Sequence, residues 1–134
     1  MTLHAPEGFR GIFRADVLAC AVYSEAAGVA RIVPRAVAVP ADEDDLATLV
    51  HWAAKTGHPL IPRGSGSSMA GGAIGDGVIV DLVRFDQVGA VDAHRRTHTL
   101  GAAVLRDRQD AVANPAGLSV PGDTASGGFA TRGG

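Results

Sequence analysis

A chain of 134 residues, 46% hydrophobic and 19% charged, is long enough for one buried core and short for a typical two-domain enzyme. Its formal net charge of -2 leaves no electrostatic footprint for nucleic acid or for an anionic membrane surface. The single cysteine, Cys20, excludes an intramolecular disulfide and a cysteine-rich metal centre.

Residues from about 8 to 27 read as a helix, because Phe9, Ile12, Phe13, Val17, Cys20 and Ala21 recur at spacings of three and four. Gly28 would end it. The same N-terminal stretch carries Glu7 and Asp16 and no uninterrupted apolar run, so no signal peptide is read and a cytoplasmic location is expected. No stretch of about 18 apolar residues exists, so no membrane span is expected. Ala36 to Val39, between Pro34 and Pro40, reads as a buried strand. Asp42 then caps a second helix, with Asp45 three residues on in a capping-box-like position. Leu46, Leu49, Val50 and Ala53 form its apolar stripe, and Gly57 is a natural stop.

His58 to Pro62 is a second short strand and Val78 to Leu82 a third, each apolar enough to be covered on both faces of a parallel sheet. Val88 to Val91 and Thr97 to Leu100 flank a polar stretch and predict an antiparallel hairpin. Residues from about 103 to 113 look helical, with Val104, Leu105, Gln109 and Val112 on one side, and the chain is loop-like from Asn114 onward. The sum is an α+β fold.

Between the second and third strands lies Arg63-Gly64-Ser65-Gly66-Ser67-Ser68-Met69-Ala70-Gly71-Gly72. A diphosphate is best held by converging backbone N–H groups, and glycine both removes the side chains that block approach and permits the turns that form an anion nest. The serines add hydroxyl donors without bulk. No lysine follows, which excludes a Walker A loop, and the run leads into a strand rather than a helix, which excludes a Rossmann fingerprint. A flexible surface loop is the alternative reading of the glycines alone.

The ordered series Val37-Ala38-Val39-Pro40, Leu46, Trp52-Ala53, Gly57 through Gly72, and Gly77 through Leu82 closely resembles the start of the FAD-linked oxidase domain. This is the PCMH-type fold of the vanillyl-alcohol oxidase superfamily, and the branch it resembles is that of glycolate oxidase and D-lactate dehydrogenase. The resemblance covers roughly residues 33–134; residues 1–32 are expected to be a helical approach segment, in which Tyr23-Ser24-Glu25 also resembles that branch. It implies a first subdomain with a small parallel sheet and flanking helices, then the start of an antiparallel sheet, the domain being incomplete.

The resemblance also implies site residues. Arg63, Gly64, Ser65, Gly66, Ser67, Ser68, Gly71 and Gly72 would form the pyrophosphate loop of FAD, with Asp81 closing the strand beside it. Relatives with covalent flavin carry a histidine where Ser67 stands, so FAD is expected to be held noncovalently. The segment from Pro121 to Gly134 resembles the second flavin-contacting loop, implying contacts from Pro121, Ser126, Gly133 and Gly134. Thr124 stands where that loop has a proline, and Arg132 where it has an apolar residue. An arginine buried there without a partner would cost several kcal/mol.

In the resembled family the flavin domain continues and a substrate domain follows, so the substrate, a 2-hydroxy acid such as glycolate or D-lactate, belongs to the complete enzyme. No residue here is expected to be catalytic. The expectation is a truncated product, weakly stable and inactive alone, or else a noncatalytic nucleotide-binding subunit docking with a partner flavoprotein chain. The remaining polar residues read as structural. His51, His58, His94 and His98 lack a metal-ligand pattern, although alternation would place His94 and His98 on one face; Asp42 to Asp45 suits a helix N-terminus; Cys20 reads as a small buried hydrophobe.

Overall fold

The computed structural model describes residues 3–122 and 124–133. Its centre is a four-stranded sheet in the order β1-β2-β4-β3, formed by β1 (Ile12–Arg14), β2 (Ala36–Val39), β3 (Leu60–Arg63) and β4 (Val78–Asp81). β4 pairs parallel with both β2 and β3, and β1 pairs antiparallel with β2. The apolar runs of β2 and β4 are explained by cover on both faces. Ala36, Ala38, Val78 and Val80 pack with Leu49 of the helix α2 (Glu43–Thr56). Their neighbours Val37 and Ile79 turn to the other face, against Ala19 of α1 (Val17–Val22), with Tyr23 and Ile61 alongside.

The helix α2 forms as its capping residues dictate. Asp42, extended at φ -160°, accepts the Asp45 N–H at 3.0 Å, and Asp45 reaches back to accept the Ala41 N–H at 2.9 Å. Gly57 ends it in the left-handed conformation, its N–H donating to Ala53. Leu49 and Ala53 are buried as the stripe requires, whereas Val50 is half exposed and does not belong to it.

The expected helix over 8–27 is replaced by β1 and the short α1. Two local features override the apolar spacing. At Gly11 an added Cβ would lie 2.2 Å from the Val39 carbonyl oxygen, so only glycine lets this segment close onto β2. There Ile12, Phe13 and Arg14 pair with Val39, Ala38 and Val37. Asp16 then starts α1 by accepting the Ala19 N–H, and that helix ends at Val22, well before Gly28. Cys20 is buried, but Val17 is exposed, so the expected apolar face is only partly realised. Trp52 packs edge-on against Phe13 and tilts over His58, covering the sheet.

β5 (Val88–Asp92) and β6 (Thr97–Leu100) form the expected antiparallel hairpin, with an irregularity between Val88 and Val91. His94 lies in the turn and His98 in β6, so they do not share a strand face. A third helix, α3 (Arg106–Ala113), buries Gln109 and Ala113; Leu105 and Val112, expected on its buried side, are exposed. A 3-10 turn at Asn114–Ala116 follows.

Candidate functional site

The glycine-rich segment leaves β3 at Arg63 and enters β4 at Val78 with no helix between, so it is a strand-to-strand loop as its sequence implied. Arg63 sits opposite Asp81 in the β3–β4 register. Its Nη1 donates to the Glu25 carbonyl at 2.8 Å and to the Ala73 carbonyl at 3.2 Å. The guanidinium carbon lies 5.2 Å from the centroid of the Tyr23 ring. Asp81 accepts the Tyr23 hydroxyl at one oxygen and the Val83 N–H, at 2.9 Å, at the other. Burial and the Asp81 carboxylate push the Tyr23 phenol up to about 12, against a smaller opposing effect of Arg63.

Within the loop, Gly66 is buried at φ +74° and Gly71 is at φ +83°, conformations that side chains resist. The Gly66 carbonyl accepts the Ala27 N–H at 3.0 Å. Ser68 Oγ accepts the Gly72 N–H at 3.1 Å, and the Gly71 carbonyl accepts that of Ile74 at 3.3 Å. Among the described residues, the N–H groups of Ser65 through Met69 have no protein acceptor. Gly64, Ser67 and Ser68 are half-buried and Ser65 is exposed. A diphosphate fits this set: uncommitted amides and short hydroxyls on a turn whose two left-handed glycines bend the backbone.

Sequence reasoning noted Tyr23 but assigned it no role. Its signal was available, since it is the sole tyrosine and stands among small residues ahead of the loop. What could not be read was its partner 58 positions away.

The second expected segment is anchored elsewhere. Gly133 donates to the Ala102 carbonyl at 2.8 Å, and an added Cβ there would lie 2.4 Å from that of Ala102. Ser126 accepts the N–H groups of Phe129 and Ala130 through its carbonyl. Pro121 is exposed and lines a cavity of about 580 Å³ with His98 and Gln109. Gly134 lies outside the described residues. Arg132 is not buried: it is exposed, its Nε donates to Gln109 Oε1, and the burial cost expected for it does not arise. The first loop thus hangs on the parallel sheet and on residues 25–28, and the second on the start of α3.

Among the described residues, no group of three His, Cys, Asp or Glu side chains is placed to hold a metal. Among the described residues, no helix is long and apolar enough to cross a membrane.

Comparison with known proteins finds relatives in sequence and in fold. The chain is 30% identical over 134 aligned positions to a D-2-hydroxyglutarate dehydrogenase of Pseudomonas putida, covering 95% of this chain and 13% of that protein. In fold it is similar to alkyldihydroxyacetonephosphate synthase, with a TM-score of 0.73 at 23% identity over 90% of this chain and 27% of that one. It is also similar to 6-hydroxy-D-nicotine oxidase from Arthrobacter nicotinovorans, with a TM-score of 0.69 at 22% identity, covering 87% and 26% of the two chains. The chain therefore spans a small part of each relative. A family model described as an FAD binding domain matches residues 34–134, which is most of the sequence, and the chain belongs to that family of FAD-binding domains.

Proposed function

We propose that this chain supplies the flavin-nucleotide site of an oxidoreductase acting on a 2-hydroxy acid, with FAD held noncovalently. The observation that carries the cofactor assignment to particular residues is the set of uncommitted amides from Ser65 to Met69 beside two left-handed glycines. Those amides, with the hydroxyls of Ser65, Ser67 and Ser68, would bind the pyrophosphate, while Gly64, Gly71 and Gly72 leave room for it. Arg63 and Asp81 border this loop at paired ends of β3 and β4. Pro121, Ser126 and Gly133 would border the flavin on the second segment. Ser67 has no imidazole through which a flavin bond could form. When bound, the isoalloxazine ring supplies the two-electron redox chemistry, and the residues described here bind and orient it.

Similarity, at 30% identity, to a protein named D-2-hydroxyglutarate dehydrogenase supports the 2-hydroxy acid class, within which glycolate and D-lactate are the narrower reading of the sequence resemblance. We take residues 1–32 as an approach segment and residues 33–134 as the flavin unit; the match from residue 34 supports the second, while β1 of the first joins the same sheet. The test is spectral. Protein refolded with FAD should shift the visible flavin band and quench its fluorescence, and acid precipitation should release the flavin into the supernatant. No binding at high micromolar FAD rejects the assignment, and flavin retained in the pellet rejects noncovalent attachment.

A second reading, a nucleotide-binding module docked on another flavoprotein chain, is favoured by the apolar groove among Ile12, Leu18, Val22, Val37 and Val39. Co-purification with a flavoprotein subunit would support it, and a monodisperse monomer would count against it.

A further inference from the structure

We infer that Arg63 is a positioning residue whose guanidinium clamps the glycine-rich loop to the segment 23–28, and that it holds no phosphate itself. This rests on the proposal that the loop binds a pyrophosphate, but the clamp can be tested without any ligand. A cation beside an anion nest would ordinarily be assigned to the anion. Here one terminal nitrogen is already committed to the protein. One nitrogen, Nη1, bridges a carbonyl upstream of the loop, Glu25, and a carbonyl at the loop's far end, Ala73. The guanidinium carbon lies over the ring of Tyr23, which is itself held by Asp81, the residue opposite Arg63 in the neighbouring strand. The other terminal nitrogen fills the space at Gly66, where an added Cβ would stand 2.6 Å from Nη2.

Two further contacts tie the same surfaces together. The Ala27 N–H donates to the Gly66 carbonyl, and Gly28 lies so close to Met69 that a Cβ would stand 2.6 Å from its carbonyl oxygen. The stretch 25–28 is thus one wall of the loop, and Arg63 joins that wall to both ends of the turn. Its charge, half-buried beside the loop, still favours an anion there without touching it. Arg63 is in this sense a residue that sets the loop's shape in the flavin-free protein.

Amide hydrogen exchange in the flavin-free protein, wild type against Arg63→Met, tests this. The Ala27 amide, which spans wall and loop, should exchange at least about tenfold faster in the variant, because the clamp's charge-assisted bonds are lost. Amides of β2 and β4 should keep their protection, and FAD affinity should fall in parallel. Unchanged exchange at Ala27 in a folded variant overturns the proposal, and if FAD affinity nevertheless collapses, Arg63 is a direct phosphate ligand. Should Arg63→Met fail to fold, Arg63→Lys reads the same amide: a single ammonium cannot both bridge the two carbonyls and fill the space at Gly66, so faster exchange is expected and unchanged exchange refutes the clamp. Failure of the wild-type protein to bind FAD would sink the proposed function and leave the exchange result standing.

Discussion

Replacing Gly66 by alanine separates two costs that the structure places at one position. Gly66 sits at φ +74°, and an L-residue in the left-handed region costs roughly 1–2 kcal/mol. The new methyl would also stand 2.6 Å from Arg63 Nη2 and 2.9 Å from its guanidinium carbon. The guanidinium must therefore move and give up its bonds to Glu25 and Ala73. Because Arg63 is half-buried and water can replace part of what is lost, this adds about 1–2 kcal/mol, the lower part of the range for hydrogen bonds to charged groups. Gly66→Ala should thus cost about 2–4 kcal/mol in the wild-type background and only the backbone share, about 1–2 kcal/mol, in Arg63→Met. Urea unfolding followed by the fluorescence of Trp52, the sole tryptophan, gives all four corners of the double-mutant cycle. Additivity of the two substitutions within about 0.5 kcal/mol would refute the contact between loop and guanidinium.

Other expectations follow from the core and from the titrating groups. Leu49 is fully buried between α2 and the sheet, so Leu49→Ala should cost about 2–5 kcal/mol by urea unfolding, and a cost typical of a surface site would place it elsewhere. Tyr23, the sole tyrosine, should show a tyrosinate absorbance midpoint near 12 in the folded protein and the ordinary 10 in denaturant. Since its folded value is raised, the stability it contributes is complete below pH 10 and is lost as pH rises toward 12; Tyr23→Phe should remove that loss. For Asp45, burial pushes the carboxyl up, but the N–H groups of Ala41, Arg10 and Gly11, with the Arg10 side chain, outweigh it and hold it below 3.8. A depressed value means stability complete above pH 3.8 and lost as pH falls through the lower folded value. Urea midpoints should drop in that acid range, and an unaltered slope in Asp45→Asn would count against the assignment.

The elements that were legible in advance are those whose signals lie within a few residues. Asp42, Asp45 and Gly57 delimit α2 because caps act through the backbone of the next turn, and β2 and β4 announce themselves by apolar runs. The glycine-rich loop was legible for the same reason, since glycines and serines between two strands carry their meaning locally. Where the reading failed, the deciding partner was distant in sequence. Residues 8–27 have the spacing of a helix, yet β1 forms because Gly11 lets Ile12 to Arg14 reach β2, about 25 positions on. Arg132 looked costly until the side chain of Gln109 was brought to it. The sequence by itself carried the cofactor class, through the ordered resemblance of the loop and its flanking strands to a family of FAD-binding domains that the match over residues 34–134 bears out. Only the tertiary structure decided what holds that loop in place. Tyr23, Glu25 and Ala27 meet Arg63, Gly66 and Asp81 across some 40 to 60 positions of chain, through contacts that depend on side-chain direction and on carbonyls, which no residue letter specifies.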